Sequence, residues 1–141
     1  MIKYHEVELV NLTPHSICII TGVLTDPSNK LNIPPSGKIA RIDSTVEGYD
    51  FISHDGFEIE VAKRYQGKIQ LENKEGDILG DFPLEHYGII YITSGMVMEH
   101  IVAVYPYRRD VVSPDTTLAI RDKCNRIIGV PSLTRIYKGG V

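Results

Sequence analysis

Short apolar stretches bounded by turn-forming residues make up most of this chain. Phe57, Ile59 and Val61 alternate with charged residues, which places the three side chains on one face of a strand. Similar alternation, or short runs dense in valine and isoleucine, predicts the other strands. They fall at residues 6–13, 16–22, 31–33, 38–42, 68–71, 77–80 and 88–93 and within 110–136, whereas residues 43–56 are predicted as a long loop or irregular edge.

One segment has the spacing of a helix. Ser94 is a favoured N-cap residue, and Pro106 cannot continue an interior helical turn. Between them, one helical face would carry Val97, Ile101, Val104 and Tyr105. A long strand is the alternative, because valine and isoleucine also favour strands. The fold class predicted is mainly β (α+β): an antiparallel sheet or a small barrel or sandwich of short strands, with one short helix near 94–105.

Two segments share one pattern, residues 71–80 and residues 120–129. Each has an apolar residue, a charged residue, an Asn or Asp that opens a turn, and a return strand that ends in glycine. Gly76 in the first and Asn125 in the second stand where the turn requires a positive φ. Both segments are therefore predicted to be hairpins of one loop type, and a duplication within the chain is the alternative reading.

The length and net charge of the chain limit the classes of protein to which it can belong. A chain of 141 residues suits a single domain, 1–141, and its net charge of −3 argues against a broad basic surface for nucleic acid. No apolar run is long enough for a signal peptide or a membrane helix. We therefore expect a soluble cytoplasmic protein with no membrane contact, in which Cys18 and Cys124 are reduced thiols.

The segment Asn-Leu-Thr-Pro-His holds the first candidates for ligand binding. Pro14 fixes the backbone before His15, and a neutral imidazole can serve as an acid, a base or a hydrogen-bond donor. Asn11 and Thr13 would contact the same ligand. The alternative is that these side chains satisfy backbone groups of the turn and His15 ends a strand.

Arginines are the second set of candidates. Arg41, Arg109 and Arg121 could form a small anion pocket, because a guanidinium matches phosphate or carboxylate oxygens in a bidentate manner. Asp110, directly after Arg109, is a further candidate ligand-binding residue, and Asp122 directly follows Arg121. The alternative is that each arginine pairs with a neighbouring aspartate at the surface, where such pairs contribute little.

Ser94 and Gly95 are the third set, because free N–H groups at a helix N-terminus can bind a phosphate. The alternative is an ordinary turn from strand to helix, since no glycine-rich nucleotide fingerprint is present. The five histidines show no close pairing and no Cys-x-x-Cys motif occurs. We therefore expect no metal, no cofactor and no catalytic residue that can be named.

The Asn-Leu-Thr-Pro-His segment at 11–15 resembles a group of small uncharacterised proteins of bacteriophages and bacterial genomes. The resemblance continues in order through a Pro-Ser-Gly…Ala-Arg corner, a Tyr-Ile-Val-Ser strand end, an Arg-x-Asp step and an Arg-Asp hairpin returning through Ile-Gly. The corresponding residues are Pro35–Gly37, Ala40, Arg41, Tyr91–Ser94, Arg109, Asp110, Arg121, Asp122, Ile128 and Gly129. The chain departs at Thr93, at Arg109 directly before Asp110, and at Asn125.

The resemblance implies a phage setting, in which small proteins often counter host immunity. One class binds nucleotide-derived immune signals without cleaving them, as oligomers with anion-lined pockets. We therefore expect a homo-oligomer that sequesters an ADP-ribose-type or cyclic nucleotide. The alternatives are an enzyme that cleaves such a ligand, with His15 as its acid or base, and a structural or host-protein-binding phage protein.

Overall fold

The structure is a computed structural model that describes residues 6–20 and 30–137. Residues 25–29, whose Thr-Asp-Pro-Ser-Asn composition predicts a turn, lie outside the described residues. The elements, in chain order, are β1 (Glu8–Asn11), β2 (Ile17–Ile20), β3 (Lys30–Ile33), β4 (Ile39–His54), β5 (Phe57–Glu72), β6 (Ile78–Asp81), β7 (Ile89–Ile92), α1 (Gly95–Val104), β8 (Val111–Pro114), a short 3-10 helix (Thr116–Leu118), β9 (Ile120–Arg121), β10 (Ile127–Gly129) and β11 (Leu133–Thr134).

These elements give a mostly β fold of the α+β class with one short α-helix, as the sequence predicts. The central sheet has the order β1-β7-β8-β11, and three smaller antiparallel sheets surround it: β2-β3, β4-β5-β6 and β9-β10. Within the central sheet β1, β7 and β8 are parallel, and β11 is antiparallel to β8. The parallel pairing was not expected. It arises because α1 carries the chain from the end of β7 back to the start of β8, and parallel neighbours require such a crossover.

The core lies on both faces of the central sheet. Because neighbouring side chains of a strand point to opposite faces, Tyr91 and Ile92 enter different clusters. Tyr91 packs with α1 and with the base of β4 and β5, whereas Ile92 packs with β2, β3 and Val130. The central sheet is thus the middle layer of the described fold, and its strand ends fix the loops at both of its edges.

The helix begins as predicted. The Ser94 side chain accepts a hydrogen bond from the Val97 N–H, and the cap residue after the last turn stands directly before Pro106. The buried face was predicted only in part. Val97 and Ile101 are buried, but Met98 and Val102 complete that face, and Val104 and Tyr105 are exposed at the helix end.

For residues 43–56, the loop was the wrong alternative and the irregular edge the better one, since β4 runs through them to His54 as a bulged edge strand. Both β4 and β5 have 16 residues and pair along their length, with a bulge on each strand. Asp55 (φ 49°) and Gly56 (φ 80°) form the two-residue turn, whose positive φ angles suit a tight hairpin. The bases of the strands are buried, but residues 43–67 are almost all exposed. We call residues 43–67 the arm.

The two predicted hairpins are confirmed, and their loops have the same pattern of hydrogen bonds. Asn73 Oδ1 accepts from the N–H groups of Glu75 and Asp77, and Asp122 Oδ1 accepts in the same way from Cys124 and Arg126. Gly76 and Asn125 both have positive φ. The local sequence is enough to produce this common pattern. It therefore does not test whether the two segments arose by duplication.

Asn11 closes the corner between β1 and β2 and is 1% exposed. Its Nδ2 donates to the carbonyl oxygens of His15 (2.9 Å) and Ile33 (3.1 Å). Its Oδ1 accepts from the N–H (3.0 Å) and the hydroxyl (2.6 Å) of Thr13. One buried amide therefore joins the central sheet to the corner and to β3.

We predict that Asn11→Ala lowers the free energy of unfolding by about 2–4 kcal/mol, because it leaves buried carbonyl and N–H groups without partners. Chemical denaturation measures the change. Asn73→Ala is the matched control: it removes three side-chain hydrogen bonds from a solvent-exposed turn, and we expect a loss of about 1 kcal/mol or less. Equal losses in the two variants would contradict the structural role of Asn11.

Candidate functional site

The parallel strands give the central sheet a carboxyl edge and an amino edge, and the predicted ligand residues divide between them. The corner 11–15 follows β1, while Ser94 and Gly95 follow β7. Asn11 is in register with Ile92, and the Leu12 N–H donates to the Ile92 carbonyl oxygen (2.8 Å). The structure therefore brings the corner and the helix N-terminus together at the carboxyl edge.

The polar groups at the carboxyl edge mainly bond to one another. Asn11 and Thr13 are joined as described above, and the Ser94 hydroxyl accepts from the first turn of α1 at 3.3 Å. Thr93 is fully buried, and its hydroxyl donates to the Ser94 carbonyl oxygen (3.0 Å). His15 is exposed. This edge is thus built chiefly from hydrogen bonds that stabilise the fold, as the alternative reading of the sequence had it.

The three predicted arginines do not meet in one cavity. Arg41 lies at the base of β4, where its Nε is 3.5 Å from a carboxylate oxygen of Glu72. Arg121 donates to the carbonyl oxygen of Asn125 across the β9-β10 turn (2.8 Å). Arg109 precedes β8 and so lies at the amino edge. Within one chain, only Arg109 of the three lines a cavity described below.

Arg108, not Arg109, is the partner of Asp110. Its Nε and Nη2 donate to the two carboxylate oxygens at 2.7 and 2.8 Å, and Nη2 also donates to the Pro83 carbonyl oxygen (2.7 Å). The guanidinium stacks over the Phe82 ring, 5.1 Å from its centroid. Burial lowers the pKa of Arg108, but the hydrogen bond and charge of Asp110 outweigh burial and raise it. Asp110, which the sequence suggested as a ligand-binding residue, is therefore engaged in a buried ion pair, and it also lines the cavity described next.

A cavity of about 460 Å³ opens at the amino edge, beneath the first residues of β1, β7 and β8. Arg109 lies on its wall with its guanidinium 4.8 Å from the centroid of the Tyr137 ring. Its Nη1 donates to the carbonyl oxygens of Pro106 (3.1 Å) and Arg108 (3.3 Å). Among the described residues no carboxylate forms an ion pair with Arg109.

Two arginines, Arg109 and Arg135, act on Tyr137 beside this cavity. Arg135, which also lines it, donates to the Tyr137 hydroxyl at 3.4 Å. That hydrogen bond, together with the charges of Arg135 and Arg109, lowers the pKa of Tyr137. A group of cations that favours a phenolate at this position would also favour another anion there.

The remaining cavity wall supplies hydrogen-bonding and stacking groups. Tyr87 is 96% exposed, so its ring is open on the solvent side, and His86 stands beside it. Glu6 and Glu85 add carboxylate acceptors. Sequence reasoning missed these residues and Tyr137. Only the excess of tyrosine over phenylalanine, eight against three, indicated that tyrosines could have such a role.

A second cavity, of about 520 Å³, lies between α1 and β5–β6. Its cations already have partners: Arg108 pairs with Asp110, and Lys68 lies 3.1 Å from Asp81. The amino-edge cavity is therefore the better candidate for an anionic ligand, although it is slightly smaller.

Residues 6–20 and 30–137 contain no group of three or more side chains suited to hold a metal ion. In the same described ranges, no helix has the length and hydropathy needed to cross a membrane. Cys18 and Cys124 are free thiols, half-buried and exposed respectively.

We predict that Asp110→Ala lowers the free energy of unfolding by about 3–5 kcal/mol, because it leaves the Arg108 charge buried without its partner. Asp81→Ala is the control, since it removes the aspartate of an exposed ion pair and should cost less than about 1 kcal/mol. Thermal or urea denaturation of the two variants measures the difference. A loss below 1 kcal/mol for Asp110→Ala would contradict the anchoring role of this pair.

Comparison with known proteins adds no assignment: no family model, no curated protein and no solved structure matches this chain.

Proposed function

We propose that the protein binds and sequesters a small phosphorylated ligand of the nucleotide type in the amino-edge cavity, without cleaving it. One observation carries the proposal. Arg109 lines a cavity, rests on the ring of Tyr137, and has no ion-pair partner among the described carboxylates. A guanidinium held in this way can offer its remaining N–H donors to phosphate oxygens.

The cavity also suits the rest of a nucleotide. A volume of about 460 Å³ falls within the range of small-molecule sites, roughly 300–1,000 Å³. The exposed ring of Tyr87 can stack on a base, and stacking on an aromatic ring is a common mode of base recognition. Glu6 and Glu85 can accept hydrogen bonds from ribose hydroxyls or an exocyclic amine. The proposed ligand therefore combines an anionic end with a base or sugar end.

Arg109 is the central residue of the proposal. Within a single chain, the other predicted ligand residues contribute less to the proposed site. Asn11, Thr13, Ser94 and Gly95 lie at the opposite edge of the central sheet, and the side chains of the first three have partners there. A ligand bound beside Arg109 would not reach them in the same chain. In an oligomer, a second chain could bring its own loops to the ligand.

The phage setting implied by the sequence resemblance supplies the proposed role. In that setting the ligand would be a nucleotide-derived immune signal, of the ADP-ribose type or a cyclic nucleotide, and its sequestration would counter the defence of the host. The resemblance favours sequestration, and cleavage would have to use His86 of the cavity wall, because His15, the histidine suggested as an acid or base, does not line the cavity.

The proposal is tested by incubating the protein with ADP-ribose, NAD, cyclic AMP and cyclic dinucleotides, and measuring the thermal shift. A ligand at 100 times its dissociation constant should stabilise the protein by about 2.7 kcal/mol. The ligand is then released by heat denaturation and analysed by chromatography. Recovery of the intact ligand supports sequestration, and recovery of an altered ligand assigns an enzyme instead. Absence of any shift across the panel would refute both functions.

We predict that Arg109→Gln weakens binding about 10- to 100-fold, because charge-assisted hydrogen bonds to phosphate are lost. Arg126→Gln is the matched control, since Arg126 is exposed, pairs with Asp122 and lies outside the cavity. Titration calorimetry with the ligand found above measures both. His15→Ala should bind as the wild type does, and a loss of affinity in this variant instead of Arg109→Gln would move the site to the carboxyl edge.

A further inference from the structure

The arm carries an apolar row on one face. In the β4–β5 register Ile52 lies directly opposite Ile59, and Phe57 and Val61 follow on the same face of β5. Phe57 is 70% exposed, and Ile52, Ile59 and Val61 are exposed as well. A long apolar strand with an open edge is a site for pairing with another chain unless it is covered.

The outer edge of β5 is open along the arm. β6 pairs only with residues 70–72 of β5, and in the described part of the chain no strand pairs with this edge from Phe57 to Gln66. The backbone N–H and C=O groups of this edge are thus available to a partner strand.

The charges on β5 are separated along the strand. Glu58 and Glu60 lie near the tip of the arm, and Arg64 lies towards its base, all on the face opposite the apolar row. Arg64 Nη1 donates to the Ser44 hydroxyl at 3.5 Å, and none of the three charges forms an ion pair with another described residue. An antiparallel partner with the same sequence would place acidic residues against basic ones.

We infer that the arm binds a second copy of this chain, with the β5 strands pairing antiparallel edge to edge around a two-fold axis at Val61. In this register Glu58 of one copy faces Arg64 of the other, and Glu60 lies diagonal to that arginine. On the opposite face, Phe57 lies against Tyr65 of the second copy. Directly opposite pairs of these kinds stabilise antiparallel sheets.

The Glu58–Arg64 and Phe57–Tyr65 pairs form in one and the same register, and this self-complementarity is the reason to prefer a second copy over an unrelated partner. Shifting the pairing by one residue would place Glu58 opposite Tyr65 and would leave the arginine opposite Ile59. A two-fold axis repeats each favourable pair, because the same patch serves both copies. The product is a four-stranded sheet with the order β4-β5-β5-β4, whose apolar rows lie side by side.

Charge reversal tests this register. We expect the wild type to sediment as a dimer, and Glu58→Arg and Arg64→Glu each to raise the dissociation constant about tenfold or more, since each places like charges opposite each other twice. An equimolar mixture of the two variants should restore the dimer, because opposite charges then face each other between unlike copies. The double variant Glu58→Arg/Arg64→Glu should also dimerise. Sedimentation velocity over a dilution series measures all of them.

A wild-type monomer at micromolar concentration would overturn the inference, and so would a dimer that both single variants leave unchanged. A mixture that fails to restore dimers while both variants are folded by circular dichroism would also overturn it. These results are independent of ligand binding, which the Arg109→Gln variant tests.

A cross-link covers the case in which the charge variants do not fold. Val61→Cys, made with Cys124→Ser to remove the exposed native thiol, places two thiols across the axis. Paired residues of antiparallel strands have Cα atoms about 4.5–5.5 Å apart, which a disulfide can span. We expect mild oxidation to give a disulfide-linked dimer. Val46→Cys, on β4 of the same arm, is the control and should stay monomeric in denaturing electrophoresis. Failure of Val61→Cys to cross-link would overturn the register.

Discussion

The buried amide of Asn11 is the interaction on which the arrangement of layers depends. All of its side-chain hydrogen-bonding groups are used, and they tie the end of β1 to the corner and to β3. The backbone continues this connection, because the Asn11 and Leu12 carbonyl oxygens accept from Ser36 and Ala40 at the start of β4. The Asn11 corner therefore links β1, β3 and the start of β4. A polar residue at a corner can indicate a ligand site, but the hydrogen bonds of Asn11 stabilise the fold instead.

The position of Arg109 likewise depends on neighbouring residues whose hydrogen bonds stabilise the fold. Arg108 and Asp110 form a buried pair, and Arg109 between them is exposed. The ion pair mainly fixes the positions of Arg108 and Asp110. It adds less to net stability, because burying two charges incurs a large desolvation cost. The Arg109 side chain extends over the Tyr137 ring, and some of its N–H donors remain available to a ligand. An unpaired cation beside a cavity is thus a consequence of its two paired neighbours.

Local sequence predicted the elements whose interactions are local. The loop bonds of Asn73 and Asp122, the positive φ of Asn125 and the Ser94 cap all involve residues within a few positions of one another. The arm was missed although Asp55-Gly56 is a strong hairpin signal, because the polar residues around it were interpreted as a loop. The parallel sheet and the contact between Arg109 and Tyr137 join distant segments. No single-sequence pattern encodes such pairings, so the cavity could not be predicted.

The arm and the cavity depend on different parts of the fold. Ala40, Ile69 and Leu71 attach the arm to the cluster that packs on α1. The loops before β1, β7 and β8 form the cavity, and within the described residues neither β4 nor β5 lines it. Because the two features share only the central sheet, a change in the arm charges would alter assembly without moving Arg109. Conversely, the Arg108–Asp110 pair supports the cavity without contributing to the β5 edge. The proposed assembly and the proposed ligand binding should therefore be separable by mutation, which a site built from the arm itself would not permit.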